Sequence, residues 1–193
     1  MLQLNDKEIR FSLIRKLKNQ SIKPKAIIEE LSVHNGNAIA DVVTLHNEAH
    51  CYEIKGDGDK IERILTQGRY YNLSFRKITL VTTNKHLRKA MLLAPDFWGI
   101  MIAEESQNKV LLKYIRKAKN NPDFDKSVAL LTLWKDEMLN LVHTKNKQDT
   151  KKSRAVLAEL IAGSKRKMEL SQDITLTLLD RQHFNKYNHL AYK

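Results

Sequence analysis

Two runs rich in Val, Ile and Tyr, Ala38–Leu45 and Ala49–Lys55, lie only three residues apart. That arrangement predicts an antiparallel pair of strands. The connecting residues, His46-Asn47-Glu48, decide the register. If all three form the loop, Leu45 faces Ala49, and counting back sets Asp41 opposite Glu53 on one face. A two-residue loop instead sets Asp41 opposite Ile54, on the other face. Asp41 is the only charged residue of its run. In the second run Glu53 and Lys55 are two positions apart and share a face, among the apolar Cys51, Tyr52 and Ile54. Charged groups placed in a buried strand need a partner.

The rest of the chain alternates helix and strand signals. Ile9, Leu13, Ile14 and Leu17 predict a helix over Asp6–Lys18, capped by Asn5 or Asp6. Pro24 suits the first turn of a second helix carrying Ala26, Ile27, Ile28 and Leu31, which His34-Asn35-Gly36-Asn37 then breaks. Gly56-Asp57-Gly58 reads as a turn. Asp59 is placed to cap a helix with the stripe Ile61, Ile64, Leu65, Gly68 and Tyr71. Lys77–Thr83 reads as a buried strand, Lys85–Leu93 as a short helix ending before Pro95, and Trp98–Ala103 and Lys109–Ile115 as further strands.

Strand signals then cease. Asp125–Val142 predicts one amphipathic helix with Val128, Leu131, Trp134, Met138 and Leu141 or Val142 inward. His143–Ser153 reads as a basic loop. Helices follow over Arg154–Ala162, stopped by Gly163, and Gln172–Gln182, capped by Ser171. The expectation is a mixed α/β core over residues 1–115 and an all-helical C-terminal region over 116–193.

Two carboxylates facing each other across a ladder repel, and a divalent cation removes that penalty. Oxygen-only ligands suit Mg²⁺ or Mn²⁺. Such an ion polarises a phosphodiester and supplies a hydroxide-like water, and Lys55 beside it can offset developing charge. Read as helical, Glu30 falls beside the buried face of the second helix, as a third ligand or water-positioning group. Lys60, Arg63, Gln67 and Tyr71 make a polar stripe on the next helix, where Gln67 can hold water or phosphate. Tyr71 either closes the site or is a core residue.

Composition narrows the partners. Thirty-four Lys and Arg against 22 Asp and Glu leave a net charge of +12, which favours polyanions. A lone Cys51 excludes a disulfide framework and a cysteine zinc cluster. No apolar run approaches the roughly 18 residues of a membrane helix, and no secretory signal pattern opens the chain. A cytoplasmic location with no membrane association is expected. The seven histidines show no metal-site spacing, and His86 reads as a helix-start or core residue.

The residues from about Pro24 to Thr83 resemble the PD-(D/E)XK nuclease superfamily. Asp41 matches its Asp, Glu53-Ile54-Lys55 its (D/E)xK, Gln67-Gly68-Arg69-Tyr70-Tyr71 the QxxxY helix motif of some branches, and Glu30 their helix glutamate. Glu29-Glu30-Leu31, Tyr52, His86, Trp98-Gly99 and Leu133-Trp134-Lys135-Asp136-Glu137 bring it closer to a small bacterial group of that superfamily whose role is unassigned. Ala40 stands where the motif often has Pro. The resemblance implies a restriction-endonuclease-like mixed β-sheet core flanked by helices. It also implies Mg²⁺-dependent hydrolysis of phosphodiester bonds, with Asp41, Glu53 and Glu30 on the metal and Lys55 and Gln67 assisting. DNA is the expected substrate and an endonuclease the expected type. A non-catalytic DNA-binding or adaptor protein on the same fold is the alternative, and a homodimer is admitted. For nucleic-acid contact the candidates are Arg63, Tyr71, the cluster Lys145, Lys147, Lys151, Lys152 and Arg154, and Lys165-Arg166-Lys167, the last two helices forming a helix-turn-helix-like reader.

Overall fold

Asn5 opens the first helix, α1 (Asp6–Lys18), with a reciprocal cap. Its side chain accepts from Glu8 N at 3.0 Å, and Glu8 Oε2 accepts from Asn5 N at 3.2 Å. In this computed structural model, which describes residues 4–107, 109–142 and 147–191 and side chains as far as residue 184, the chain then enters a sheet. Strands β1 (Ala26–Val33), β2 (Ala38–Leu45) and β3 (Ala49–Lys55) form an antiparallel meander. Helix α2 (Ile64–Ser74) crosses over to β4 (Lys77–Thr83), and α3 (Leu87–Leu93) crosses over to β5 (Gly99–Ser106). β3, β4 and β5 run parallel, and β6 (Lys109–Arg116) closes the far edge antiparallel to β5. The sheet order follows the sequence, β1 to β6.

The chain ends in α4 (Lys126–Leu130), α5 (Lys135–Leu141), α6 (Arg154–Ser164) and α7 (Lys167–Ala191). Two layers cover the sheet. On one face Ile9, Leu13 and Leu17 of α1 pack on Val42, Tyr52, Ile54, Val81 and Met101. Burying each such aliphatic side chain contributes about 1.5–3 kcal/mol. The other face, with Val43, Cys51, Ile78, Leu80 and Ile100, lies under α2, α3 and the C-terminal helices. Leu130, Leu133, Met138, Leu157, Ile161, Leu170 and Leu178 belong to that same cluster. The expected boundary after residue 115 falls within the last residues of β6, and the helices beyond β6 form the second layer of a core shared with the sheet. Among the described residues no helix is long and apolar enough to cross a membrane.

Several local expectations are corrected. The predicted second helix is strand β1, because pairing with β2 outweighs its helical spacing. Asp59 caps no helix: its carboxylate accepts from Gly56 N at 2.7 Å, and a 3-10 turn at Ile61–Arg63 precedes α2. The single helix over Asp125–Val142 is two. Arg154 donates to the carbonyls of Leu131 and, at 2.6 Å, Leu133, while Glu137 accepts from Trp134 N at 2.7 Å to start α5 afresh. Trp134, expected inward, is 57% exposed and lies under the Arg181 guanidinium, 4.2 Å from the ring centroid. Gly163 falls inside α6 and Ser171 inside α7, so neither is a boundary.

Two glycines separate backbone crowding from helix propensity. A Cβ on Gly99 would meet Thr79 Oγ1 at 2.5 Å and Ala118 N at 2.8 Å, whereas one on Gly163 meets nothing within 4 Å. Gly99→Ala is expected to lower stability by about 1–3 kcal/mol. Gly163→Ala is expected to raise it by up to about 1 kcal/mol. Urea unfolding followed by tryptophan fluorescence measures both.

Candidate metal centre

Leu45 pairs with Ala49, so the loop is the three-residue one. The β2–β3 ladder runs as far as Val42 opposite Tyr52, and the next position in that register sets Asp41 against Glu53. There the strands part, and the Asp41 side chain takes the place of a backbone acceptor: Ile54 N donates to Asp41 Oδ2 at 2.7 Å. β1 breaks at the same level. Glu29 pairs with Val42 and Leu31 with Ala40, and Glu30 between them has φ 55°. Ala40 and Val43 both join the larger core cluster, as do Ile28 and Leu31. Clean alternation forbids a three-residue step on one face, so each strand carries a bulge-like irregularity here.

Glu53 is wholly buried. Its Oε1 accepts from Lys55 Nζ, and Lys55 is itself only 5% exposed. Oε2 is buried with no hydrogen-bond partner. Burial, and next the charge on Asp41, push the Glu53 carboxyl up to about 7 against the opposing pull of Lys55. Burial also raises the Asp41 carboxyl, against the Ile54 hydrogen bond and Lys55. Asp41 and Lys55 thus both act electrostatically on the Glu53 carboxyl. The Tyr71 hydroxyl lies against Glu53 and donates to Ile39 O at 2.7 Å.

Sequence reasoning missed Arg10. From α1 its guanidinium reaches Asp6 at 3.1 Å, Glu30 at 3.2 Å and Asp41 at 3.3 Å. Its Nε is buried without a partner. One signal was present: Asp6 and Arg10 stand one turn apart on the flank of the buried stripe of α1. Glu30 lies on β1, not on a helix, with its side chain 70% exposed and bound to Arg10. Gln67 is half-buried one turn before Tyr71, and its Oε1 also has no partner.

The nucleic-acid candidates divide. Arg63, Lys147, Lys151 and Arg166 are exposed. Tyr71 is fully buried, so the core reading holds for it and it is out of reach of a polynucleotide. Lys152 pairs with Asp149 at 2.6 Å, Arg154 holds the carbonyls described above, and Lys165 is 10% exposed against Asp173 at 2.5 Å. Lys167 donates to Pro122 O at 3.2 Å. Lys145 lies outside the described residues. α6 packs on α4 and α5, while α7 packs on α4, β2 and β3, so the two helices are built into the second layer and do not stand as a two-helix reader. His86 is a helix-start residue, 8% exposed, with Nε2 at 3.1 Å from Gly56 O.

Among the described residues no three His, Cys, Asp or Glu side chains converge as a preformed metal cage requires. The smaller acid pair, Asp41 and Glu53, leaves one oxygen unengaged, Glu53 Oε2, while both Asp41 oxygens accept, from Arg10 and from Ile54 N. Two carboxylates suit a hard ion that keeps most of its waters. Four acids, Asp6, Glu30, Asp41 and Glu53, surround two cations, Arg10 and Lys55, leaving a double negative charge when all are ionised.

Stability should depend on pH through Glu53. Its folded carboxyl is raised from 4.5 to about 7, so the native state holds a proton that the unfolded chain releases. The contribution is present below pH 4.5 and is lost as pH rises through 7, by about 2–4 kcal/mol. Glu53→Gln should flatten this slope in denaturant titrations across pH 5–8. Added Mn²⁺ should restore stability to the wild type above pH 7 but not to Glu53→Gln.

Comparison with known proteins adds kinship. "Protein cII" of Enterobacteria phage P4 is 27% identical over 141 residues, covering 72% of this chain and 53% of that protein. The chain thus spans about half the length of this curated relative. A solved structure titled "SPO1766 protein of unknown function from Silicibacter pomeroyi" covers 84% of this chain and 88% of its own at TM-score 0.46 and 15% identity, too loose a likeness to argue from. A family model described as "Bacteriophage P4 protein cII" matches residues 2–189. On that match, the chain belongs to the bacteriophage P4 protein cII family.

Proposed function

We propose that the chain is a Mg²⁺- or Mn²⁺-dependent nuclease that hydrolyses phosphodiester bonds, with DNA as substrate, on a restriction-endonuclease-like core of the PD-(D/E)XK type. The observation that carries the reading is Glu53 Oε2: a carboxylate oxygen, wholly buried beside a second carboxylate and left without a donor. Such an atom is costly unless a cation or proton meets it. The element order supports the same reading. A helix, an antiparallel three-stranded meander, a crossover helix and a parallel strand carry the acids where β2 and β3 part.

Asp41 and Glu53 would hold the ion, which would supply positive charge to the scissile phosphate and to the attacking water. Lys55 is held by Glu53 Oε1, so its ammonium is fixed in direction. It orients the attacking water and offsets charge that develops on the phosphorane. The free Gln67 oxygen accepts a hydrogen bond from water. Tyr71 fixes the floor through Ile39 O and keeps bulk water from Glu53.

A non-catalytic nucleic-acid-binding protein on the same fold is the second reading. One contact favours it: the Arg10 guanidinium already lies on Asp41. Incubation of labelled DNA substrates with Mg²⁺ or Mn²⁺ separates the two. The wild type is expected to cut, and Asp41→Ala, Glu53→Ala and Lys55→Ala are expected to lose at least a hundredfold in rate. Calorimetry should show Mn²⁺ binding that Glu53→Ala abolishes. Cleavage that survives Lys55→Ala removes the role given to that lysine, and the absence of Mn²⁺ binding leaves the second reading.

A further inference from the structure

The basic clusters that stand out along the chain lie in its C-terminal half, yet the cationic surface nearest the acid pair is on α1. With Ile9, Leu13 and Leu17 turned inward, Lys7, Phe11, Arg15 and Lys18 form one outward stripe. Phe11 is 69% exposed, a large aromatic ring that adds little to the core. Between α1 and the edge strand β1 lie two hollows that share Ile14, Lys18 and Glu29 and so form one groove. Its walls carry Lys7, Arg10, Arg15, Lys18, Lys23 and Lys25 with one acid, Glu29, while a neighbouring hollow that shares Phe11 and Arg15 adds Glu8 and Glu105. Phe11, Ile14 and Ile27 supply apolar surface between the charges.

Three features together select the occupant. The five lysines and arginines other than Arg10 form no ion pair among the described residues, so their charge is free for a partner. An exposed aromatic among them offers a face for stacking, which requires a base whose own face is open. At its inner end the groove reaches Arg10, whose guanidinium touches Asp41. The distance along α1 from Lys7 to Lys18 is about 16 Å, room for a few nucleotides.

We propose that the groove between α1 and β1 binds single-stranded nucleic acid and leads it to the Asp41–Glu53 pair. Lys7, Arg15, Lys18, Lys23 and Lys25 face the phosphates, Phe11 stacks on a base, and Arg10 meets the phosphate nearest the acids. The delivery to the pair rests on the nuclease reading; the binding itself does not.

Fluorescence anisotropy with a labelled fifteen-residue oligothymidylate, and with a duplex of equal length, tests this in EDTA, where no metal-dependent cleavage runs. The wild type is expected to hold the single strand at least tenfold tighter than the duplex. Arg15→Glu with Lys18→Glu should weaken it at least tenfold and reduce the slope of log K against log salt by about 1.4. Phe11→Ala should weaken it about 5- to 100-fold with the salt slope unchanged. Lys151→Glu with Arg166→Glu should leave it unchanged. Thermal melts establish that these surface variants fold. Equal affinity for the duplex, equal displacement by polyglutamate, or loss of binding in the C-terminal pair while the α1 variants still bind overturns the proposal. Because no divalent ion is present, a failed Mn²⁺ titration at Glu53 leaves this result standing. Cleavage by the Arg15→Glu, Lys18→Glu variant at the wild-type rate would sink the groove and spare the acid pair.

Discussion

A carboxylate and an ammonium buried side by side at the end of β3 set the terms for the rest of the molecule. Each ion costs several kcal/mol to bring out of water, and their attraction offsets this only when every remaining oxygen and proton is satisfied. Here Lys55 satisfies one oxygen of Glu53 and nothing satisfies the other. Burial raises the pKa of both acids, and the charge on Asp41 adds to the rise at Glu53. A chain selected for stability alone gains more from an apolar pair at these positions. The covering layers, with Tyr71 against Glu53 and α1 bringing Arg10 to Asp41, keep this local deficit from opening to water. Deficits of that kind concentrate where a fold carries chemistry.

The backbone follows the same demand. Had β2 alternated cleanly, Ala40 and Val43 could not both have filled the inner core, and Asp41 would have been locked to one face. The skipped beat at residues 41–42 frees it at the fork, where Ile54 N fixes its direction. β1 skips its beat alongside, and Glu30 accepts a left-handed backbone there at a cost of about 1 kcal/mol. Two strands thus deform together to present one carboxylate.

That deformation also explains what the sequence conveys and what it hides. α1, β3 and β4 are readable because their signal is local and unbroken, β2 because its β-branched run and short turn outweigh the skipped beat, and the loop count supplied the Leu45–Ala49 register. β1 reads as a helix because its irregularity sets Ile28 and Leu31 three apart on one face, which is helical spacing. The division of α4 from α5 depends on Arg154, more than twenty residues on, and no local pattern records it. The link from Arg10 to Asp41 spans 31 residues and was invisible for the same reason. Charge clusters mislead in the other direction: Lys152, Arg154 and Lys165 are neighbours of free cations in sequence but are taken up by Asp149, helix-end carbonyls and Asp173.

Arg10 stands where two opposed electrostatic systems meet. On one side are Asp6, Glu30 and Asp41; on the other is a groove whose remaining cations form no ion pair among the described residues. Under the two proposals above, a divalent ion at the acid pair would weaken the hold of Asp41 on the guanidinium, and a phosphate in the groove would offer that guanidinium another acceptor. The two events favour each other through one side chain, with no movement of the sheet required. By linkage, each ligand then strengthens the binding of the other by the same factor. On the proposed reading, Arg10 is less an obstacle to the ion than the group that would make its binding sensitive to nucleic acid.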